Sequence, residues 1–444
     1  MSRAAHDPVT SRRRWLGDAG RSAAGLWLAG GLANARGDDH PRSSPPDPRR
    51  GAERKKVAAV VTAYYPMSHA YHIVGRFLWG YQWRGVHHRP EFEVASLYTD
   101  QVRGNDVGQG LARRFGVRVS RDVADAITLG TGGLAVDAVL LIGEHGDYPN
   151  NAKGQKLYPR FELFQQVAAV IEPEKRGVPI FVDKHLSYDT AKALKMVAEA
   201  KRLNCPLMAG SSLPVTWRHP ELELPVGVKL DEALVAGYGP DEIYGFHALE
   251  TLQCMVERRD GGESGVKAVT ALRGPAVWEA GDRKLWSWDL LEHALGRSET
   301  LNPGDIRANV AEPFAILVEY RDGLKTAALL LNGQIADFNF AGRLAGGGGV
   351  ESCMFYLPNP PAANFFTPLT HHIETFFATS TPPYPIDRTL LTTGIIDAAM
   401  ASAADRGRRV DTPALAIAYR PPDSSGFARG TPASPVPEPA RRPA

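Results

Sequence analysis

Apolar positions follow two different rhythms along this chain, and the change falls near its middle. Between residues 57 and 210, short runs apolar on both faces alternate with stretches apolar on one face. Val57–Thr62, Phe92–Tyr98, Val117–Val119, Val136–Ile142, Pro179–Val182 and Pro206–Ala209 have strand length, Val136–Ile142 most clearly. His69–Gln82, Leu111–Phe115, Leu157–Ile171 and Tyr188–Arg202 lie between them with helical spacing. In Leu157–Ile171, for example, Phe161, Phe164, Val167, Ala168 and Ile171 share one face. Buried strands separated by helices predict a parallel, doubly wound, Rossmann-like sheet.

After a boundary near Gly210–Pro225 the strand candidates follow one another. They are Val226–Gly237, Val266–Arg273, Ala315–Tyr320, Thr326–Leu331, Ile335–Phe340 and Ser352–Tyr356, with helices at Tyr244–Arg258, Leu369–Thr379 and Thr389–Asp405. Consecutive strands predict an open, mostly antiparallel sheet with helices on one side. The whole is an α/β chain: a Rossmann-like domain over 57–210, then an α+β substrate or oligomerisation domain over 211–410. Residues 36–56 and 421–444 are dense in Arg, Pro and Ser and are expected to be a disordered linker and a mobile tail.

The first 35 residues change the picture of where the protein works. Ser11-Arg12-Arg13-Arg14-Trp15-Leu16, the weakly apolar Ala23–Leu32 and Ala33-Asn34-Ala35 read as a basic region, a short apolar region and a cleavage site. The paired arginines resemble a twin-arginine export signal, which carries folded proteins to the periplasm or cell envelope. The apolar run is too short to span a bilayer. Of the 51 basic and 49 acidic groups, residues 1–35 hold five and two, leaving 46 and 47 in the remainder. A net charge of −1 there offers nothing to a phosphate backbone, so nucleic acid is not an expected partner. Cys205, Cys254 and Cys353 show no metal-ligand spacing and are expected to be buried thiols.

Specific residues then carry a family resemblance. Asp137–Ile142 followed by Gly143-Glu144-His145, Val182-Asp183-Lys184-His185-Leu186, Gly245-Phe246-His247-Ala248-Leu249, and Ile373–Phe376 through Arg409-Val410 occur in the order of the Gfo/Idh/MocA oxidoreductases, which they resemble. The resemblance covers about residues 57 to 410. It implies NAD or NADP as cofactor, a carbohydrate or polyol as substrate, Lys184 and His247 as catalytic groups, and association of copies through the open sheet, at Thr326–Phe340. Independently, a lysine past a parallel strand sits where such sheets bind ligands, and a histidine is suited to take a hydroxyl proton.

The cofactor half departs from that pattern. Thr62 leads into Ala63-Tyr64-Tyr65-Pro66-Met67-Ser68-His69, with no glycine before Gly75, where a glycine turn would let backbone approach a pyrophosphate. Thr62, Tyr64 and Asp100 are the cofactor-binding candidates. The acid one turn before the histidine is replaced by Ile243, with Glu242 beside it. Glu144, His145, Asp147 and His185 are the substrate-binding candidates, on or facing the polar turn Gly143–Asn151. Glu144, His145 and Asp147 with a second histidine have the chemistry of a zinc or manganese site but no defined spacing, and no metal is assigned. The alternative to an enzyme is a non-catalytic or non-redox sugar-binding protein on the same scaffold.

Overall fold

The computed structural model describes residues 54–358 and 363–432. The leader-like segment, most of the linker and residues 433–444 lie outside the described residues. The first sheet and its surroundings comprise β1 (Lys55–Val61), α1 (His69–Trp79), β2 (Tyr81–Trp83), β3 (Val86–His88), β4 (Phe92–Thr99), α2 (Gly108–Phe115), β5 (Arg118–Val119), α3 (Val123–Thr128), β6 (Ala138–Ile142), α4 (Arg160–Ile171), β7 (Ile180–Asp183), α5 (Thr190–Arg202) and β8 (Leu207–Gly210). β2 and β3 form a small ribbon of their own. The other six strands run parallel in the order β5-β4-β1-β6-β7-β8. That is the doubly wound order, with its switch point between β1 and β6.

The second sheet contains β9 (Arg218–His219), β10 (Leu230–Gly237), β11 (Val266–Arg273), β12 (Phe314–Tyr320), β13 (Lys325–Leu330), β14 (Phe338–Leu344), β15 (Val350–Phe355) and β16 (Val410–Asp411). Its order is β16-β11-β12-β13-β10-β14-β15-β9, antiparallel except for the pair β10–β13. The helices are α6 (Ile243–Val256), α7 (Pro275–Asp282), α8 (Trp288–Leu295), α9 (Ile306–Asn309), α10 (Phe366–Thr379) and α11 (Ile386–Ala404). β14 begins three residues later than expected because Gly333 takes a positive φ of 98° and turns the chain at Leu331–Gln334.

Both faces of this sheet are covered, which corrects two expectations. α6 and α11 pack Phe246, Leu252 and Ile396 on one side. On the other, Trp278 and Trp286 with Leu290 of α8 bury Leu234, Ala327 and Leu329. The surface expected to join copies, Thr326–Phe340, is therefore core, and Thr326 is buried. α7 and α8 were hidden in the sequence because each is one short apolar helix entered through a local signal, Pro275 at the first turn of α7 and a Ser287 cap on α8. α10 does not join the second sheet: Phe366, Leu369, Ile373 and Phe376 share a cluster with Ile73, Phe77 and Phe92 of the first.

The expected tail is ordered well past Pro421. Arg218 lies 4.3 Å from the ring centre of Phe427, and Arg258 donates to the carbonyls of Pro422 and Asp423 at 2.9 and 2.8 Å. Phe427 and Ala428 are apolar anchors that the polar composition around them masked.

Candidate active site

Two turns at the carboxyl edge of the first sheet build the centre of the site. After β6, Gly143-Glu144-His145 turns back with His145 at φ 72°; after β7, Lys184 sits at φ 70°. Positive φ costs a non-glycine residue about 1–2 kcal/mol, a strain that surrounding contacts must hold in place. Here the contacts are a buried charge network. Arg160, first residue of α4 and fully buried, donates to Glu144 Oε2 at 2.5 Å, and its other terminal nitrogen lies 3.1 Å from His185 Nε2. Its guanidinium also lies 5.0 Å from the ring centre of Tyr158. Burial opposes ionisation of Glu144, yet Lys184 and Arg160 outweigh it and hold the carboxyl below its usual range.

Lys184 and His247 are brought together, with Nζ 2.5 Å from Nε2. They are only 3% and 6% exposed, and Tyr244 and Phe338 pack edge-on around the His247 ring. Burial lowers both pKa values; the charge of Lys184 lowers that of His247 further, while Glu144 and Asp183 pull that of Lys184 upward. The two groups share one short contact in surroundings that disfavour a second positive charge on the pair. On α6, one turn beyond His247, Glu250 accepts from the backbone N–H of Ser211 at 3.1 Å and fixes the helix to the end of β8.

Three further residues join the site that were not among the predicted site residues: His69, Asp183 and Glu242. His69 Nδ1 meets Asp183 Oδ2 at 2.7 Å, linking the start of α1 to the end of β7. Burial raises Asp183 to about 6, with Lys184 and Arg160 opposing it. Glu242, immediately before α6, accepts the N–H of Lys156 at 2.7 Å through Oε2, while Oε1 has no hydrogen-bond partner among the described residues. Burial raises its pKa to about 7. Its sequence signal was its place beside Ile243; nothing local showed that it would be buried.

Of the other candidates, His145 lies half-buried between Tyr65 and His69, ring centres 5.3 and 5.2 Å away, with Nε2 unpartnered. Asp147 points outward to Arg103 at 2.7 Å, away from the site. Glu144 faces Arg160 instead, so the turn does not converge on a metal, and among the described residues no group of three or more His, Cys, Asp or Glu does so. A cleft of about 650 Å³ opens over these turns, with Tyr65, His145, Tyr158 and Glu242 in its wall and Arg103, Lys156 and Arg273 among its cations. Lys184 and His247 lie behind that wall.

The three cofactor candidates are committed to the protein itself. The Thr62 hydroxyl donates to the carbonyl of Glu144 at 2.8 Å. Tyr64 is buried in the core against Gly108. Asp100 accepts from Tyr148 at 2.5 Å and Tyr98 at 3.0 Å. At the start of α1, Ser68 Oγ already accepts the N–H groups of Tyr65 and Tyr71, both at 3.2 Å, and Pro66 has none to offer. These residues do not fit a dinucleotide held by a glycine turn and a free ribose-binding acid.

The fold is similar to that of solved dehydrogenases. An oxidoreductase from Agrobacterium radiobacter, in complex with NAD+, L-tartaric acid and magnesium, matches 82% of this chain and 99% of its own at a TM-score of 0.50 and 14% identity. The fold is that of the Gfo/Idh/MocA-type dehydrogenases. Myo-inositol 2-dehydrogenase from Lactobacillus plantarum matches 81% of this chain and 99% of its own, with TM-score 0.49 and 12% identity. GenD2 of gentamicin A biosynthesis, in complex with NAD, matches 83% and 99%, with TM-score 0.49 and 17% identity. No family model matches the chain, and no curated protein matches it.

Proposed function

We propose that this protein is an enzyme of the oxidoreductase scaffold that acts on a carbohydrate or polyol in the cleft above the first sheet. The observation that carries the reading is the buried Lys184–His247 pair, 2.5 Å apart at the edge where parallel sheets bind ligands. Paired proton-holding groups of lowered pKa have no evident structural need there, and perturbed groups of this kind cluster at sites of chemistry. The Agrobacterium structure of the same fold holds a small polyhydroxylated acid, which suits this substrate class. The cleft is wide enough for a monosaccharide. Its wall supplies what such a ligand uses, aromatic faces at Tyr65 and Tyr158 and polar groups at His145 and Glu242.

On this reading Lys184 and His247 are positioning residues. They set the charge behind the wall through Glu144, Arg160 and His185, and the cleft-facing groups meet the substrate. Oxidation of a hydroxyl by a nicotinamide would be the family's chemistry, but the residues at the dinucleotide edge do not fit that group. The test is calorimetric titration of monosaccharides and polyols against the purified chain. At least one should bind, and Lys184→Met should reduce turnover of that ligand by on the order of 100-fold while the protein stays folded. A panel in which nothing binds would sink the reading.

Export as a folded protein is part of the same proposal and rests on Arg12, Arg13 and the segment that follows. Changing both arginines to lysine should leave the protein in the cytoplasmic fraction of a host with a twin-arginine pathway. Undiminished export of that variant would remove this element alone.

A further inference from the structure

In sheets of this strand order a dinucleotide lies across the carboxyl ends of the strands at the switch point, here β1 and β6, and reaches toward the next strand, here β4. β4 and β6 flank β1 on either side. The loops that follow them are tied together across its end. Tyr148 donates to Asp100 at 2.5 Å, the Asp147 N–H donates to Gln101 Oε1 at 2.8 Å, and Gln101 Nε2 donates back to the Asp147 carbonyl at 3.3 Å. Arg103 adds an ion pair to Asp147 at 2.7 Å. In the turn after β1, two of the amides near the start of α1, those of Tyr65 and Tyr71, are taken by Ser68 Oγ. The groove is roofed by the chain's own side chains.

The cleft beside it is open, and two side chains in its wall carry buried polar atoms with no hydrogen-bond partner among the described residues: Glu242 Oε1, whose neighbour is the buried His185 Nε2 at 3.8 Å, and His145 Nε2. Buried polar atoms are nearly always paired, so two unpartnered ones on side chains that line the same cleft point to a ligand. Their environments push them toward complementary protonation states. Glu242 is raised to about 7 by burial, with Lys156, Arg160, Glu144 and Lys153 around it; His145 is lowered by burial despite Glu144 and Asp183, with Lys184 and Arg160 adding to the fall. Around pH 7 a share of the carboxyl groups therefore still carries a proton to give, and the imidazole has a free lone pair to receive one.

We propose that this cleft carries out redox-neutral proton transfer on a sugar, with Glu242 as the acid, His145 as the base and no dinucleotide taking part. The inference rests on the reading that the cleft binds a carbohydrate. In the forward step His145 Nε2 takes the hydrogen, as a proton, from the carbon beside the sugar's carbonyl. The electron pair of that C–H bond becomes the C=C bond of an enediol as the carbonyl oxygen takes the Glu242 proton. In the second step the neighbouring hydroxyl returns a proton to Glu242 and becomes the carbonyl, and His145 delivers its proton to the former carbonyl carbon. One carbon is oxidised and its neighbour reduced, so electrons balance within the substrate. An aldose becomes the matching ketose.

The experiment is to incubate the full chain, freed of small molecules, with D-glucose, D-fructose, D-mannose and D-xylose in D2O, and to follow the carbon-bound hydrogens by NMR. Exchange at the carbon next to the carbonyl is expected in at least one sugar, unchanged by added NAD or NADP. Glu242→Gln and His145→Gln should each slow it by on the order of 100-fold or more. Glu242→Gln preserves the shape of the side chain, so its loss of exchange reads chemistry even where the His145 variant is less stable. Turnover that requires NAD or NADP, nicotinamide released on heating, or a sugar that binds without exchanging would overturn the proposal and leave the carbohydrate reading standing. Failure of any sugar to bind or exchange would sink both.

Discussion

Arg160→Met is expected to destabilise the folded protein by about 3–5 kcal/mol. Arg160 is fully buried and Glu144 4% exposed, so loss of the guanidinium leaves a carboxylate without its ion-pair partner or water, with the charge of Lys184 as its remaining support. The same change removes the cation from the Tyr158 ring and from His185 Nε2, a further loss of packing and polar contact. The charge term dominates, because a methionine fills most of the vacated volume. It follows that Glu144→Gln, introduced into the Arg160→Met chain, should recover at least half of the lost stability by removing the stranded charge. Denaturant unfolding of the two single variants and the double variant measures this directly. A single variant within about 1 kcal/mol of the parent would show that Glu144 finds another partner or takes up a proton at little cost.

The same pair shows what could and could not be read from the chain. The first sheet was legible because strands buried on both faces read as continuous apolar runs, and strand order then placed Gly143–Asn151 and Lys184 at the ligand edge without any side-chain knowledge. His247 was legible through its helix, whose apolar residues surround it. Arg160 was not. It lies at the start of an amphipathic helix, where an arginine is ordinarily solvated, and only the turn 16 residues earlier converts it into a buried cation. His69 and Asp183 meet across 114 residues, and Tyr148 reaches Asp100 across 48. No local period encodes such pairings; they exist only once the sheet has formed. The missing glycines did signal that the cofactor edge was unusual, but the bridge that roofs it appears only in three dimensions. The covered face at Thr326–Phe340 failed for a related reason. The strand pattern was right, and the short helices that cover it carry too few periodic positions to be seen.

Glu250→Gln is expected to stabilise the protein at alkaline pH and to do much less at pH 5. Glu250 is wholly buried; its two oxygens accept from the Ser211 N–H and, at 3.0 Å, from the Thr392 hydroxyl. Burial raises its pKa from 4.5 to about 7 against the opposing pull of Arg388, and Glu257 pushes it the same way as burial. A carboxyl whose folded pKa is raised stabilises the native state fully below the unfolded pKa. That contribution is lost as pH rises from there through the folded value. The window is thus pH 4.5 to 7, and the loss across it is about 3 kcal/mol for a shift of this size. A glutamine keeps one acceptor for Ser211 and can donate to the Thr392 oxygen, so the hydrogen bonds survive while the ionisation disappears. Asp183 and Glu242 titrate in the same range but are present in both proteins, and they cancel in the difference. Unfolding free energies of parent and variant at pH 5 and pH 8 give the answer. A gain of about 2–3 kcal/mol that appears between those values identifies Glu250 as a buried acid tolerated in protonated form. An equal difference at both would mean that Arg388 keeps it ionised throughout, and that the tie from α6 to Ser211, which sets the position of His247, is made by a carboxylate.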